Sequence, residues 1–266
     1  MIRTKLKDIQ NLKDNRGIDI QKVGVKNVEV PLNIQRKDEE NQVVNARATM
    51  SISLPRDFKG THMSRFIEVL TEWGQKNLLG IDIKGCLEEI AKRLNTGNAH
   101  LKFEFKYFIS KKAPVSGLSC PQGYDCAFEG ILNKDDYRFI LEVNVPVTTL
   151  CPCSKEISEY GAHNQRSNVN VRISYDYDKI IWIEDLIELI EECGSSPVYP
   201  LLKREDEKFV TEKAYNNPKF VEDLLRDIVS KLKNIKIINW YEVDCEAFES
   251  IHNHSAWAYQ EEFISN

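Results

Sequence analysis

The sequence predicts an α+β fold in which antiparallel strands carry helices on one face of the sheet. Apolar and polar residues alternate over several segments, which is typical of half-buried strands. Other segments space their apolar residues as an amphipathic helix does. These elements follow the order strand-strand-helix-helix-strand-strand, and that order occurs twice along the 266 residues. Strand pairs separated by helix pairs are typical of antiparallel sheets with segregated helices.

The first half of the chain contains one complete set of these elements. Ala46, Ala48, Met50, Ile52 and Leu54 alternate with polar residues and predict a strand face. The helices are predicted from apolar residues three and four positions apart. The predicted elements are strands over 22–36 and 43–54, helices over 64–73 and 82–94, and strands over 100–109 and 125–132.

The second half repeats the order, beginning with an alternating run that ends at Leu150. Asn217 and Pro218 are predicted to cap and open the second helix of this half. The predicted elements are strands over 137–150 and 168–175, helices over 182–192 and 219–232, and strands over 236–248 and 254–263. We therefore predict a flexible arm over 1–20, a first module over 21–134 and a second module over 135–266.

Composition limits the classes of function. The chain is 42% hydrophobic and 29% charged, as in ordinary globular proteins, and its net charge of -5 argues against non-specific binding of nucleic acid. No run of 18 apolar residues predicts a membrane span, and the amino-terminal residues lack the apolar stretch of a signal peptide. The expected location is the cytoplasm, where the seven cysteines would be thiols, ligands or catalytic groups.

Two short segments carry the side chains that favour a transition metal such as zinc. In the first, Cys151 and Cys153 flank Pro152 after a strong strand, and His163 follows ten residues after Cys153. If the extended backbone continued, both sulfurs would face one side. The alternatives are two buried apolar cysteines or a redox pair, and for His163 an ordinary solvated loop residue.

The second segment contains Glu249, His252 and His254 near the end of the chain. On a strand, residues two apart project together, which would give the two imidazoles a chelating geometry. A polar strand face is the alternative. Glu249 has three possible roles, as a metal ligand, as a group that orients a histidine, or as a surface carboxylate. If the two segments meet in the fold, they form a catalytic metal site.

Two further segments carry candidate substrate contacts. The segment 59–65 links a strand to a helix and offers hydroxyls, helix-start amides and Arg65 for a phosphate, or it is a simple turn with a cap. The segment 217–223 places acidic residues at a helix start. There they either interact favourably with the helix dipole or bind a purine. One carboxylate accepts both the N1–H and the exocyclic amine of guanine.

At these residues the sequence resembles the type IB GTP cyclohydrolases. The resemblance runs in order through nearly the whole chain beyond the first twenty residues, except for 113–126. The segments that carry it are 59–65, 145–158, 162–166, 199–204, 206–208, 217–223 and 249–254. It implies the tunnelling fold, with two ββααββ modules in each chain, and a homotetramer with active sites at subunit interfaces.

The resemblance also implies a reaction, in which GTP and water give formate and 7,8-dihydroneopterin triphosphate at the entry to folate synthesis. The linear triphosphate is the expected product, although archaeal relatives form a cyclic phosphate. A divalent zinc, manganese or iron ion supplies hydroxide near neutral pH for attack on C8 of guanine. The expected metal-binding residues are Cys151, His163, His252 and His254, with Glu207 or Glu249 as a further ligand.

Other roles complete this hypothesis, and among them the role of Glu222 is carried over from the resemblance. Cys153 lies beside the metal site, and Cys151, Cys153 and His163 form the catalytic group. A histidine that is not a ligand protonates the opening ring and assists formate release. Glu222 anchors guanine, and Arg65, Lys155 and Arg166 are candidates for the triphosphate, whose charge requires cations or helix amides.

Three rival functions stay open at this point. One is another tunnelling-fold enzyme of the nitrile-reductase kind, which uses a cysteine nucleophile and a nicotinamide cofactor without a metal. Another is a non-catalytic metal or redox module built on Cys151 and Cys153. The third is an assembly protein that has lost its active site. The histidines near the carboxyl end favour the metal enzyme.

Overall fold

The computed structural model describes residue 10 and residues 12–78, 82–134, 136–176 and 178–264. Half of the predicted amino-terminal arm, residues 1–9 and 11, and Asp135 at the predicted module boundary lie outside the described residues. Long antiparallel strands and amphipathic helices make up the described chain, so the predicted α+β class is confirmed. No helix in these ranges combines the length and the apolar character that crossing a membrane requires.

The described residues contain ten strands and six helices. The strands are β1 (Ile20–Ile34), β2 (Gln42–Leu54), β3 (Asn77–Leu78), β4 (Asn98–Lys112), β5 (Ser119–Asn133), β6 (Asp136–Leu150), β7 (Asn164–Tyr175), β8 (Ser196–Pro197), β9 (Ile238–Ala247) and β10 (Ala256–Phe263). The helices are α1 (Met63–Gly74), α2 (Asp82–Leu94), α3 (Pro152–Ile157), α4 (Ile183–Glu191), α5 (Arg204–Asn216) and α6 (Val221–Lys233).

All of the predicted strands and helices occur, but four elements were not predicted. Helix α3 has only six residues, and β3 and β8 have two residues each, too few for a periodic pattern. Helix α5 is long, but among its side chains only Asp206 and Ala214 are buried, so it has no apolar stripe. The predicted cap at Asn217 and Pro218 was wrong, because α6 begins at Val221 with Phe220 as its cap.

The chain forms two compact units that each combine several segments. The first comprises 1–35, 40–105 and 128–139, and the second comprises 36–39, 106–127 and 140–266. Strands β4, β5 and β6 contribute residues to both units. The predicted division of the chain into modules at 134 and 135 stays a prediction.

The first unit contains strands in the order β3-β1-β2-β4 and the helices α1 and α2. Strands β1 and β2 are antiparallel, with Val25 opposite Met50 and Leu32 opposite Val44. Both helices bury one apolar face, which includes the fully buried Phe66 of α1 and Ile90 of α2. Burial of each such side chain stabilises the fold by roughly 1.5–3 kcal/mol.

The second unit contains strands in the order β6-β7-β9-β10 and the helices α3 to α6. Val143, Val171 and Val243 lie opposite one another on β6, β7 and β9, and all three are fully buried. Helix α6 packs on β9 and buries Ile228 and Leu232. This apolar layer holds the ends of β6, β7 and β9 in a fixed arrangement.

Helix α5 is anchored by a buried carboxylate rather than by an apolar face. Asp206 accepts hydrogen bonds from the backbone N–H groups of Val115, Ser116 and Lys203 at 2.8–2.9 Å and from the Ser116 hydroxyl at 2.6 Å. Burial alone raises the pKa of Asp206, but these hydrogen bonds outweigh it and hold that pKa well below its usual range. The charged carboxylate therefore ties the start of α5 to the β4–β5 loop.

Candidate active site

The candidate site lies at one end of the sheet in the second unit. Strands β6 and β7 pair up to Leu150 and Asn164, and β7 pairs with β9 from Ser167 opposite Ala247. Because these strands are antiparallel, the end of β6, the start of β7 and the end of β9 meet at the same sheet end. The segments that follow β6 and β9, which carry the cysteines and histidines of interest, therefore leave the sheet together.

Cys151 caps the short helix α3 at the point where β6 ends. Its Sγ accepts a hydrogen bond from the backbone N–H of Ser154 at 3.4 Å, and Pro152 occupies the first turn. The expectation that Cys151 and Cys153 face the same side of an extended strand was wrong, because proline favours the first helical position. Cys153 lies in α3 and is exposed, while Cys151 is partly buried. All seven cysteines are free thiols.

His163 is tied by its backbone to Cys151 and to helix α3. Its carbonyl accepts a hydrogen bond from the Cys151 N–H at 3.1 Å, and its own N–H donates to the Ser154 hydroxyl at 2.9 Å. The structure therefore brings the first two predicted metal ligands together. His163 is partly buried, with 15% of its side chain exposed, and so is not the solvated loop histidine of the alternative interpretation.

A polar network lies beside the His163 ring. The Gln165 side chain contacts His163 Nδ1 at 3.0 Å through Oε1, and its Nε2 lies 3.3 Å from both Thr149 Oγ1 and Glu249 Oε1. Thr149 in turn bonds the Ser167 hydroxyl at 2.7 Å, and both of these side chains are buried. Glu249 Oε2 lies 3.9 Å from His163 Nδ1. Of the two candidate carboxylates, Glu249 is thus the one placed beside the histidine.

His252 and His254 lie in the loop between β9 and β10 and not on a strand. Strand β10 begins only at Ala256, so the predicted strand start at His254 was wrong. The two exposed imidazoles are nevertheless stacked, with ring centroids 5.2 Å apart and planes 12° from parallel. Within the described ranges, no three His, Cys, Asp or Glu side chains lie close enough to hold a metal ion. The joint metal site therefore stays a prediction.

Glu222 lies in the first turn of α6 and is exposed. Three residues before it, the backbone N–H of Lys219 donates to the Leu150 carbonyl at 2.9 Å. Leu150 directly precedes Cys151, so this bond holds the start of α6 beside the end of β6. The structure thereby brings Glu222 to the same sheet end as Cys151 and His163.

The three candidate phosphate contacts have different surroundings. Lys155 in α3 donates to the Tyr215 carbonyl at 2.6 Å and lies over the Tyr215 ring at 4.4 Å. Arg166 is exposed on β7, two residues beyond Asn164. Arg65 belongs to the first unit, where it donates to the Arg93 carbonyl at 2.6 Å and lines a cavity of about 220 Å³. Only Lys155 and Arg166 belong to the unit that holds Cys151.

Glu207 is exposed near the start of α5. Lys155 contacts Tyr215 at the other end of the same helix. Eight residues of α-helix separate these positions by about 12 Å along the helix axis. The Lys155 contact thus ties to α3 the end of α5 that is remote from Glu207, whereas Glu249 lies 3.9 Å from His163 Nδ1.

The segment after α4 supports the end of β6. Ser195 donates through its backbone to Thr148, and its hydroxyl accepts from the Leu150 N–H at 3.1 Å. The Asn217 side chain donates to the carbonyls of Gly194 and Ser195 at 3.0 and 3.4 Å. A Cβ atom at Gly194 would lie 2.7 Å from the Val147 Cβ, so only glycine permits this approach.

Three polar residues of this region received no role from the sequence, Gln165, Ser154 and Thr149, and Asn217 received a wrong one. The sequence did contain a signal for Gln165. It lies two positions after His163, and residues two apart in an extended chain project to the same face. Thr149 is its cross-strand partner, which only the register reveals. Asn217 was interpreted as a helix cap, although its amide bridges two carbonyls of a distant turn.

Comparison with known proteins gives a family for this sequence. The model of the Type I GTP cyclohydrolase FolE2 family matches residues 6–258. The GTP cyclohydrolase FolE2 of Geotalea uraniireducens is 53% identical over 253 residues, which cover 95% of this chain and 92% of that protein. The GTP cyclohydrolase FolE2 of Magnetococcus marinus is 48% identical over 256 residues, 96% of each chain.

Solved structures with the same fold have unrelated sequences. The urate oxidase of Bacillus subtilis superposes with a TM-score of 0.53 at 8% identity, covering 92% of this chain and 98% of that one. The uricase of Arthrobacter globiformis gives a TM-score of 0.52 at 7% identity, covering 92% and 93%. Urate oxidases have the tunnelling fold, so the expected fold is confirmed. At this identity the likeness extends to the fold alone.

Proposed function

The chain belongs to the type I GTP cyclohydrolase FolE2 family, and on that basis we propose that Cys151, His163, His252 and His254 form its metal centre. As a GTP cyclohydrolase, the enzyme opens the guanine ring in folate biosynthesis. Its products are formate and 7,8-dihydroneopterin triphosphate. The observation that carries this assignment of residues is the backbone bond that ties Cys151 to His163 at the end of β6.

The chemistry of these donors fits a divalent metal. A backbone bond joins the residues that carry the thiol and the imidazole, Cys151 and His163, and a pair of stacked imidazoles lies in the loop that leaves the same sheet end. Thiolate and imidazole together suit zinc and iron, and manganese is the harder alternative. When bound, such an ion supplies hydroxide near neutral pH for the attack on C8 of guanine.

The remaining steps are assigned to side chains of this chain. Glu222 accepts the N1–H and exocyclic amine of guanine and so fixes the in-plane orientation of the base. Not all four residues bind the ion at once, and the loop histidine that is not a ligand, His252 or His254, protonates the opened ring and assists release of formate. Lys155 and Arg166 balance the triphosphate charge.

A product assay tests this function. The purified chain is incubated with GTP and zinc, manganese or iron, without any nicotinamide cofactor, and formate and pterin are measured. We expect one formate for each dihydroneopterin triphosphate formed and no product after chelation of the metal. Unchanged GTP with every metal would contradict the proposal. Turnover that requires a nicotinamide cofactor would favour the nitrile-reductase alternative.

We also propose that the enzyme acts as a cytoplasmic homotetramer. The edge strand β10 of the second unit exposes Trp257 and Phe263, which are 61% and 67% accessible in the single chain. Exposed aromatic side chains on a sheet edge favour association. Light scattering of the purified protein should give about four times the chain mass of 30.8 kDa. A monomeric mass would contradict the proposal.

A further inference from the structure

Gln165 bridges the polar groups that lie beside the His163 ring. Its Oε1 lies 3.0 Å from His163 Nδ1, and its Nε2 lies 3.3 Å from Glu249 Oε1 and from Thr149 Oγ1. Gln165 and Thr149 are directly opposite each other on β7 and β6. This cross-strand pairing fixes the backbone from which the Gln165 amide reaches the histidine and the carboxylate.

The chemistry of the neighbours fixes the orientation of the Gln165 amide. An ionised Glu249 carboxylate only accepts hydrogen bonds, so the amide NH₂ must face it. The Thr149 hydroxyl oxygen accepts from the same NH₂ and also shares a hydrogen bond with the Ser167 hydroxyl. Rotation of the amide by 180° would place its oxygen against the carboxylate oxygen. The amide oxygen therefore faces His163.

From this orientation we infer that Gln165 is a positioning residue that sets the tautomer of His163. An amide oxygen only accepts, so His163 Nδ1 must carry the proton. In the neutral ring, Nε2 then presents its lone pair on the opposite side. Given the proposed function, Nε2 is the atom available to a metal ion or to a substrate proton.

The inference also assigns a role to Glu249. Glu249 faces the protonated Nδ1 of His163 and accepts a hydrogen bond from the Gln165 amide. It therefore orients the histidine and does not ligate the metal. The His163 and Glu249 side chains are each only 15% exposed, which limits competition from water for these hydrogen bonds. The bonds of the His163 backbone to the Cys151 N–H and to the Ser154 hydroxyl fix the point from which the ring projects.

The tautomer is measured directly on the metal-free protein. Long-range ¹H–¹⁵N spectra of ¹⁵N-histidine-labelled enzyme at a pH where His163 is neutral distinguish the protonated ring nitrogen from the unprotonated one. The His163 signals are identified by their loss in His163→Asn. We expect the proton on Nδ1. A proton on Nε2 in the unmodified enzyme would overturn the inference.

A pair of variants separates Gln165 from general effects on the strand. In Gln165→Met the acceptor is lost, so we expect the Nε2–H form to increase and zinc affinity to fall about 10- to 100-fold. Asn170→Leu is the matched control, since Asn170 lies on the same strand and donates to Glu142 at 3.2 Å. It should leave both the tautomer and zinc affinity unchanged.

The outcomes distinguish the inference from the proposed function. If the unmodified enzyme forms pterin but Gln165→Met keeps the Nδ1–H form and full zinc affinity, the positioning role is wrong. If His163 shows the Nδ1–H form, lost in Gln165→Met, while no pterin forms, the proposed function fails and the positioning role stands. If Gln165→Met does not fold, the tautomer of the unmodified enzyme alone decides.

Discussion

Replacing His163 by asparagine is expected to lower the turnover of GTP by about 100- to 10,000-fold and to remove most of the bound metal. The magnitude is that of a lost acid–base or ligand group. Asparagine keeps the backbone N–H that donates to Ser154 and the carbonyl that accepts from Cys151, so helix α3 should stay in place. Metal content and turnover are measured on the same sample.

His100→Asn is the matched control for this experiment. His100 belongs to the first unit and, like His163, is a partly buried histidine beside a carboxylate, with its Nε2 2.7 Å from Glu129. We expect its replacement to leave the metal content and the turnover per folded chain unchanged. Full metal occupancy and normal turnover in His163→Asn would remove His163 from the centre.

Glu222→Gln is expected to reduce kcat/KM for GTP by about 10- to 100-fold. A buried donor left without its partner costs about 1–3 kcal/mol, and about 1.4 kcal/mol corresponds to a factor of ten. The substituted amide would keep one oxygen but direct its NH₂ towards a guanine donor. The position supports this role, since the Lys219–Leu150 backbone bond holds the first turn of α6 beside Cys151.

A comparison of GTP with ITP identifies the guanine contact itself. ITP lacks the exocyclic amine, so the unmodified enzyme should prefer GTP and Glu222→Gln should lose most of that preference. Glu205→Gln is the control, because Glu205 is also an exposed glutamate in the first turn of a helix. It should retain the preference. An unchanged GTP-to-ITP ratio in Glu222→Gln would exclude the anchoring role.

The strands and long helices were predictable because burial follows a simple period in them. The alternation that ends at Leu150 corresponds to β6, and the apolar spacing over 82–94 corresponds to α2. Helix α5 was not predictable in this way. Its position depends on Asp206, which accepts hydrogen bonds from Val115 and Ser116, 91 and 90 positions earlier in the chain. No local pattern reports such a contact.

The residue types of the candidate site were predictable, but their geometry was only partly so. The spacing of Cys151 and His163 pointed to a metal, and in the structure a backbone hydrogen bond joins the two residues. The expectation that residues two apart project to the same side failed for Cys153, because Pro152 starts a helix there. It also failed for His252 and His254, since a loop and not a strand brings their rings together. The role of Gln165 required the β6–β7 register.

X-ray absorption at the zinc edge of the zinc-loaded, full-length protein tests the central claim most directly. If residues of both segments bind one ion, the spectrum should show one sulfur and at least two imidazole nitrogens per zinc. The sulfur contribution should vanish in Cys151→Ser, and the imidazole count should fall in His252→Asn or His254→Asn. A zinc shell without sulfur, or one unaffected by the loop histidines, would contradict the account.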